Sequence, residues 1–81
     1  MQKIIVMTSG WVIVGRVNDH MDTGMLILHE AKHVCRWGTT EGIGQLCSGP
    51  TKETVFFHIK REIVVYSGNI LYTVDCDGWF L

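Results

Sequence analysis

The segment between Arg36 and Thr54 collects residue types that suit a ligand with one flat part and one anionic part. Trp37 stands beside Arg36, and Lys52 follows closely after a glycine-proline step. The indole offers a face for stacking, the cations offer charge-assisted hydrogen bonds, and glycines let backbone amides approach a ligand. We therefore predict a binding site formed by Arg36, Trp37, Gly38, Thr39, Thr40, Gly42, Gly44, Lys52 and Thr54. No nucleophile stands in a recognisable pair with a base, so we assign no catalytic residue and no cofactor.

A purely structural explanation of the same segment stays open. Threonines in turn-rich loops often bond to their own backbone, and a tryptophan often covers the end of a small core. A phosphate-binding Walker loop requires Gly-Lys-Ser/Thr at the start of a helix. Here Pro50 and Thr51 separate Gly49 from Lys52, so that pattern is not met. What remains is the prediction of a simpler site for an anion.

The run His29-Glu30-Ala31-Lys32-His33 matches the H-E-x-x-H pattern of zinc hydrolases. That chemistry needs both histidines on one helical face, a third ligand and a cleft that holds water. The segment fits a strand better than a helix, and no third ligand is evident. We therefore favour two half-exposed strand histidines with Glu30 and Lys32 in solvent, and metal binding by His29 and His33 is left open.

The size of the chain bounds what it can be. Its 81 residues have room for one domain, residues 1–81. Such a domain buries only about 60% of its extended-chain surface, so we expect self-association to add stability. The three cysteines form no C-x-x-C pair and follow no secretory signal, which favours reduced thiols, no membrane segment and a cytoplasmic location. The net charge of −1 argues against nucleic acid as a partner, because phosphate binding favours basic proteins.

Short apolar, β-branched segments separated by turn residues surround the loop. The expected strands are residues 3–8, 11–17, 25–36, 54–59, 62–66 and 70–75, with one helical turn near residues 42–48. Residues 25–36 also fit an amphipathic helix, but the neighbouring strands and short loops favour a strand. We expect Thr40 to cap the helical turn and Gly15 to mark a bulge or a close approach. The pattern predicts an all-β domain, a small SH3-like or Sm-like barrel of five or six short strands.

Two tryptophans lie outside the candidate site. Trp11 is expected in the core or at an interface between subunits. The chain ends in the apolar run Trp79-Phe80-Leu81, which a monomer would expose to water. We therefore predict that this run is an anchor between subunits.

Two segments resemble the small barrel of the Sm-like proteins. Residues 6–17, followed by Ile27-Leu28-His29-Glu30-Ala31, are similar to that family's opening strand-turn-strand pattern. Residues 63–72, with Gly68-Asn69-Ile70 at their centre, are similar to its closing pattern. The chain departs from the family by its long segment at 37–54 and by Tyr66-Ser67 where the family has an arginine. The resemblance implies a self-associating barrel, and we carry over no RNA-contacting residue from it.

The central segment also resembles a set of short uncharacterised bacteriophage proteins. They share a W-G-T-T-x-G-[IL]-G-x-L run followed by G-P-x-K-x-T, which residues 37–54 match here. The resemblance implies a phage protein in the host cytoplasm. With the composition of the loop, it leads to our first hypothesis: an oligomeric, non-catalytic protein that sequesters a small nucleotide-type ligand, such as a signalling nucleotide of host immunity.

Two alternatives belong to other functional classes. The first is an RNA-binding ring of the Sm type, which needs cations along one face. The candidate cations are Lys3, Arg16, Lys60 and Arg61. The second is a protein inhibitor of a host enzyme that binds through a barrel edge or through the apolar C-terminus.

Overall fold

The computed structural model describes residues 2–18 and 24–79, and almost all of its regular structure is strand. The strands are β1 (Gln2–Met7), β2 (Val12–Asn18), β3 (Met25–Arg36), β4 (Val55–His58), β5 (Ile63–Tyr66) and β6 (Ile70–Cys76). Two short 3-10 helices, η1 (Ile43–Ser48) and η2 (Ser67–Asn69), connect them. Among the described residues, no helix has the length and apolar character needed to cross a membrane. The predicted all-β class is confirmed, and so is the strand at residues 25–36.

The strands form one antiparallel sheet in the order β4-β3-β2-β1-β6, and β5 pairs with β3 as well. β3 is long enough to serve two partners. Its first residues pair with β5, from Met25 opposite Tyr66 to Leu28 opposite Ile63. Its later residues pair with β4, beginning with Lys32 opposite His58. β4 and β5 therefore follow one another along the same neighbour, and the sheet curls into a small barrel-like fold.

β3 is irregular at Glu30, whose φ angle of 51° lies in the left-handed region. Across from it, the register of β2 shifts between Val14 and Arg16. A Cβ atom on Gly15 would lie 3.3 Å from Ala31, so the two strands approach closely at this point. The close approach predicted at Gly15 is confirmed, and the bulge lies in β3 opposite it, where Glu30 and Ala31 face Gly15 alone.

Apolar side chains are buried on both faces of the sheet. Ile4 and Ile5 are adjacent in β1 and point to opposite faces, yet both are fully buried. One core cluster contains Ile4, Val6, Val12, Val14, Val34, Ile43, Leu46 and Trp79. The other contains Ile5, Leu26, Leu28, Ala31 and Val65. The helix η1 contributes Ile43 and Leu46, so the long loop covers the first of these two faces.

The position of Trp79 corrects one prediction. Its side chain is 0% exposed, and its indole Nε1 donates a 2.8 Å hydrogen bond to the carbonyl oxygen of Leu46. Its backbone N–H donates to Gln2 Oε1, and its ring meets Phe56 edge-on. Trp79 is a core residue, so the prediction that it anchors a second subunit is wrong. Phe80 and Leu81 lie outside the described residues.

Burial bears on two further predictions. Trp11 is 58% exposed, which excludes the core and leaves the alternative of an interface between subunits as a prediction. Its ring lies 4.7 Å from that of His33. Lys32 was expected in solvent but is buried, with Nζ donating a 3.2 Å hydrogen bond to the backbone oxygen of Glu30. The turn at Glu30 thus provides the acceptor that a buried ammonium requires.

Candidate ligand-binding site

The candidate loop begins and ends on neighbouring strands. β3 ends at Arg36, which lies opposite Val55 at the start of β4. The register of this strand pair shifts between Val34 and Arg36. The chain therefore leaves the sheet and returns to it at the same place, and residues 37–41 and 51–54 form two arms of one loop.

Threonine hydroxyls fasten the two arms together. Thr54 Oγ1 donates a 2.6 Å hydrogen bond to the backbone oxygen of Trp37, and Thr51 Oγ1 donates one of 2.7 Å to that of Gly38. The backbone N–H of Thr51 donates in turn to Thr54 Oγ1 at 2.9 Å. Gly38 has a φ angle of 65°, and any Cβ there would collide with the backbone of Glu53. These contacts fix the backbone that carries Trp37.

The first arm is held by Gln45 as well, which the sequence analysis did not single out. Its Oε1 accepts hydrogen bonds from the backbone N–H groups of Thr40 and Glu41, each at 3.0 Å, and from Thr40 Oγ1 at 3.3 Å. The prediction that Thr40 caps η1 is therefore wrong. The residue at the capping position before the helix is Gly42, which has no side chain that could form a cap hydrogen bond. The carboxamide of Gln45 instead reaches back from within the helix.

Three of the predicted side chains extend into solvent. The Trp37 side chain is 42% exposed, and Arg36 and Lys52 are exposed. Neither cation takes part in an ion pair with another described residue. The guanidinium, the ammonium and the indole are therefore all accessible to a ligand.

The remaining predicted residues divide into two groups. Thr54 and Gly38 serve the framework that fixes Trp37, and Thr40 serves the contact with Gln45. Thr39 and Gly42 are half-buried and Gly44 is exposed, on the side of the loop that leads into η1. Thr51 was missed as a functional residue, although the spacing Thr51-x-x-Thr54 is typical of a side-chain-capped turn.

The two histidines of the H-E-x-x-H run lie on β3, so they lack the helical geometry of the zinc hydrolases. They also have different neighbours. Asn18 Nδ2 lies 2.9 Å from His29 Nε2, and Glu62 Oε2 lies 3.4 Å from His29 Nδ1. His33 instead packs against Trp11. In residues 2–18 and 24–79, no three or more histidine, cysteine or acidic side chains cluster as a metal site would require.

The cysteines are free thiols in different surroundings. Cys35 is exposed, near the end of β3, whereas Cys47 and Cys76 are half-buried. Burial, reinforced by the negative charge of Asp77, raises the pKa of the Cys76 thiol from its ordinary 9.0 to about 11. Cys76 is therefore a poor nucleophile at neutral pH. No protein-family model, curated protein or solved structure matches the chain.

Proposed function

We propose that this protein is a non-catalytic binder of a small nucleotide-type ligand, which it takes up at the loop of residues 36–54. The observation that carries the proposal is an accessible indole on an immobilised backbone. Trp37 is 42% exposed, while Thr54 and Thr51 hold the carbonyl groups of Trp37 and Gly38. A preorganised aromatic anchor loses little conformational freedom on binding, which favours affinity.

Each side chain has a distinct role in this proposal. A base or another planar ring stacks on Trp37, and Arg36 and Lys52 bind the anionic groups. Thr39 and the amides of residues 42–44 supply further donors. The hydroxyls of Thr40 and Thr54 already have partners within the chain, so we assign these two residues to positioning rather than to ligand contact.

The resemblance to short phage proteins suggests what such a binder is for. We propose that it sequesters a signalling nucleotide of host immunity, of the cyclic or ADP-ribose-like kind, in the host cytoplasm. A protein that sequesters its ligand must bind without turnover, and no catalytic group is needed. We also propose that it acts as a homo-oligomer, because a domain of this size gains stability by association.

The alternatives have less support. Two of the cations that an RNA-binding face would use are engaged with carboxylates: Lys3 with Asp75 at 2.7 Å and Arg16 with Glu30 at 3.0 Å. For a protein inhibitor, the burial of Trp79 removes the largest side chain of the expected apolar tail. Both observations favour the small-ligand proposal.

Isothermal titration calorimetry against ADP-ribose, a cyclic dinucleotide, ATP and inorganic phosphate tests this proposal. We expect at least one nucleotide to bind the wild type and Trp37→Ala to weaken it by about tenfold or more, a typical loss for one stacked base. Trp11→Ala is the matched control, because Trp11 is also an exposed indole, and its affinity should be unchanged. No heat from any ligand, or an equal loss in both variants, would contradict the proposal.

The positioning role of Thr54 has its own test. Thr54→Val keeps the shape of the side chain but removes the hydrogen bonds to Trp37 and Thr51, so we expect about 1–2 kcal/mol less stability in urea unfolding. We also expect weaker nucleotide binding, with both effects rescued by Thr54→Ser. Thr73→Val changes an exposed strand threonine in the same way and should alter neither quantity.

A further inference from the structure

We propose that oxidation joins Cys47 and Cys76 through a disulfide bond, which fastens the end of η1 to the end of β6. Both residues are free thiols in the reduced protein described above. The link goes beyond the proposed function and is independent of the ligand, because neither cysteine belongs to the candidate site.

The backbones that carry the two cysteines are in direct contact. The N–H of Asp77 donates a 2.8 Å hydrogen bond to the backbone oxygen of Cys47. Only one carbonyl carbon separates the Cα atom of Cys76 from this nitrogen, and only one separates the Cα atom of Cys47 from this oxygen. Standard peptide dimensions therefore place the two Cα atoms within about 6.5 Å of each other. Disulfide bonds span Cα separations of about 4.4–6.8 Å, so the backbones already meet this requirement.

A glycine two positions after each cysteine lets the two segments approach. The segments are Cys47-Ser48-Gly49 and Cys76-Asp77-Gly78, and their glycines have φ angles of 118° and 74°. A Cβ atom on Gly78 would collide with the backbone oxygen of Ser48, and one on Gly49 would lie 2.8 Å from the oxygen of Gly78. Backbone therefore lies against backbone directly beside the two cysteines.

The two thiols also lie within electrostatic range of each other. Burial is the main cause of the raised pKa of Cys76, and the charges of Asp77 and then Cys47 raise it further. The influence of Cys47 exceeds that of Asp75 and of Lys3, although Asp75 is next to Cys76 in the chain. Cys76 packs against the first core cluster and Cys47 is half-buried, so the link would form at the margin of the core.

Cys35 is remote from this pair. Its neighbour Val34 lies level with Val6 of β1 across the sheet, whereas Cys76 pairs with Gln2 at the other end of β1. The rise of a strand separates these two levels by about 13 Å. Cys35 is therefore too distant to pair with either thiol within one molecule.

The bond forms by thiol–disulfide exchange with a low-molecular-weight disulfide such as oxidised glutathione. The Cys47 thiolate attacks one sulfur of that disulfide, the S–S bond breaks, and one glutathione leaves as its thiolate. Cys76 then loses its proton to water, and its thiolate attacks Cys47 Sγ and releases the second glutathione. Two protein thiols lose two electrons in total, and the glutathione disulfide is reduced to two thiols. The first attack belongs to Cys47, because burial keeps Cys76 protonated at neutral pH.

Treatment of the Cys35→Ser variant with oxidised glutathione at about pH 8 tests the proposal, since this variant cannot form links through the exposed thiol. We expect a monomer lighter by two hydrogen atoms in intact-mass spectrometry, and peptide mapping should find Cys47 joined to Cys76. The link restricts the unfolded chain, so the urea midpoint should rise by about 1 M or more. Reduction with dithiothreitol should reverse both changes.

Two variants in the same Cys35→Ser background separate the roles of the thiols. Cys76→Ser should stop at the mixed disulfide between Cys47 and glutathione. Cys47→Ser should form an adduct at least about tenfold more slowly, because the remaining thiol is protonated and packed against the core. Circular dichroism checks that both variants fold.

Peptide mapping of the Cys35→Ser protein requires no change at the pair, so its result stands even if a variant fails to fold. Two free thiols at the end of the reaction, a mixed disulfide that persists although both cysteines are present, or an oxidised form no more stable than the reduced one would overturn the proposal. Nucleotide titration of the reduced protein tests the proposed function separately.

Discussion

Two tryptophans, Trp37 within the loop of residues 36–54 and Trp79 packed against that loop, show how differently one residue type can be used. Trp79 is completely buried, its ring lies against Phe56 and its indole N–H has a partner. Trp37 is 42% exposed, and the fixed part of this residue is its backbone oxygen rather than its ring. The first arrangement contributes stability, and the second presents an aromatic surface to solvent. This difference is why we propose Trp37, and not Trp79, as the residue that stacks on a ligand.

Both tryptophans nevertheless depend on a glycine in the left-handed region. Gly38 has a φ angle of 65° and touches the backbone of Glu53, and Gly78 has one of 74° and touches the backbone of Ser48. The two regions are therefore anchored by the same kind of backbone contact. What distinguishes them is whether another part of the chain lies over the ring.

The largest expected effect is on the free energy of unfolding, and it distinguishes a core tryptophan from one in the candidate site. Trp79→Ala should lower the free energy of unfolding by about 3–5 kcal/mol, because it leaves a cavity and removes the hydrogen bond from the indole to the Leu46 oxygen. Trp37→Ala should lower it by less than about 1 kcal/mol, since its ring is partly in solvent already. Urea unfolding followed by circular dichroism measures both. Similar losses in the two variants would mean that Trp37 is a structural residue.

The next effect tests the rigidity of the site. Gly38→Ala should cost about 1–3 kcal/mol in urea unfolding, because alanine resists a positive φ and its Cβ meets the Glu53 backbone. It should also weaken nucleotide binding. Gly44→Ala is the matched control, since nothing lies within 4 Å of its added Cβ, and it should change stability by no more than about 0.5 kcal/mol. Equal stability of the two variants would show that the close contact between Gly38 and the Glu53 backbone does not stabilise the fold.

The smallest expected effect concerns two thiols, one beside Trp79 and one near Trp37. Cys76 packs against the core cluster of Trp79, whereas Cys35 is exposed near the start of the Trp37 loop. Because the pKa of Cys76 is raised from 9.0 to about 11, its neutral form stabilises the folded state below pH 9.0, and this contribution is lost as the pH rises to about 11. Mass spectrometry after iodoacetamide treatment at about pH 8 should find Cys35 modified well before Cys76.

Labelling at higher pH completes this comparison. The rate at Cys76 should rise steeply between pH 9.0 and about 11, in step with its titration. Cys76→Ala should reduce the loss of stability over the same interval. Equal labelling of Cys35 and Cys76 at about pH 8 would contradict the protected environment of Cys76.

The strands were predictable because the information that specifies them is local. The run Ile4-Ile5 has no polar alternation, which indicates burial on both faces, and both side chains are buried. Residues 25–36 fit a strand or a helix by pattern, and their short connections favoured the strand that is observed. The hairpin at Gly10 follows from the same local chemistry, with its N–H donating to the oxygen of Met7.

The candidate site was only partly predictable. The sequence indicated that Trp37 and its neighbours form a loop. It did not indicate that the hydroxyls of Thr54 and Thr40 would form hydrogen bonds within the chain. Gln45 carried no signal, because an amide side chain has no preferred partner until the fold brings one near. Lys32 was misplaced for a related reason: the positive φ of Glu30 turns a carbonyl toward its ammonium, and that turn is not visible in the residue types.

The amino-acid sequence by itself determined which segments become strands, to within one residue at their ends, because side-chain alternation and turn chemistry act between near neighbours. Only the tertiary structure decided which indole is buried and which is presented to solvent. The partners of Trp79 are Gln2 and Leu46, which are 77 and 33 residues away along the chain. Contacts at such separations form only when the sheet has folded, so no local pattern records them.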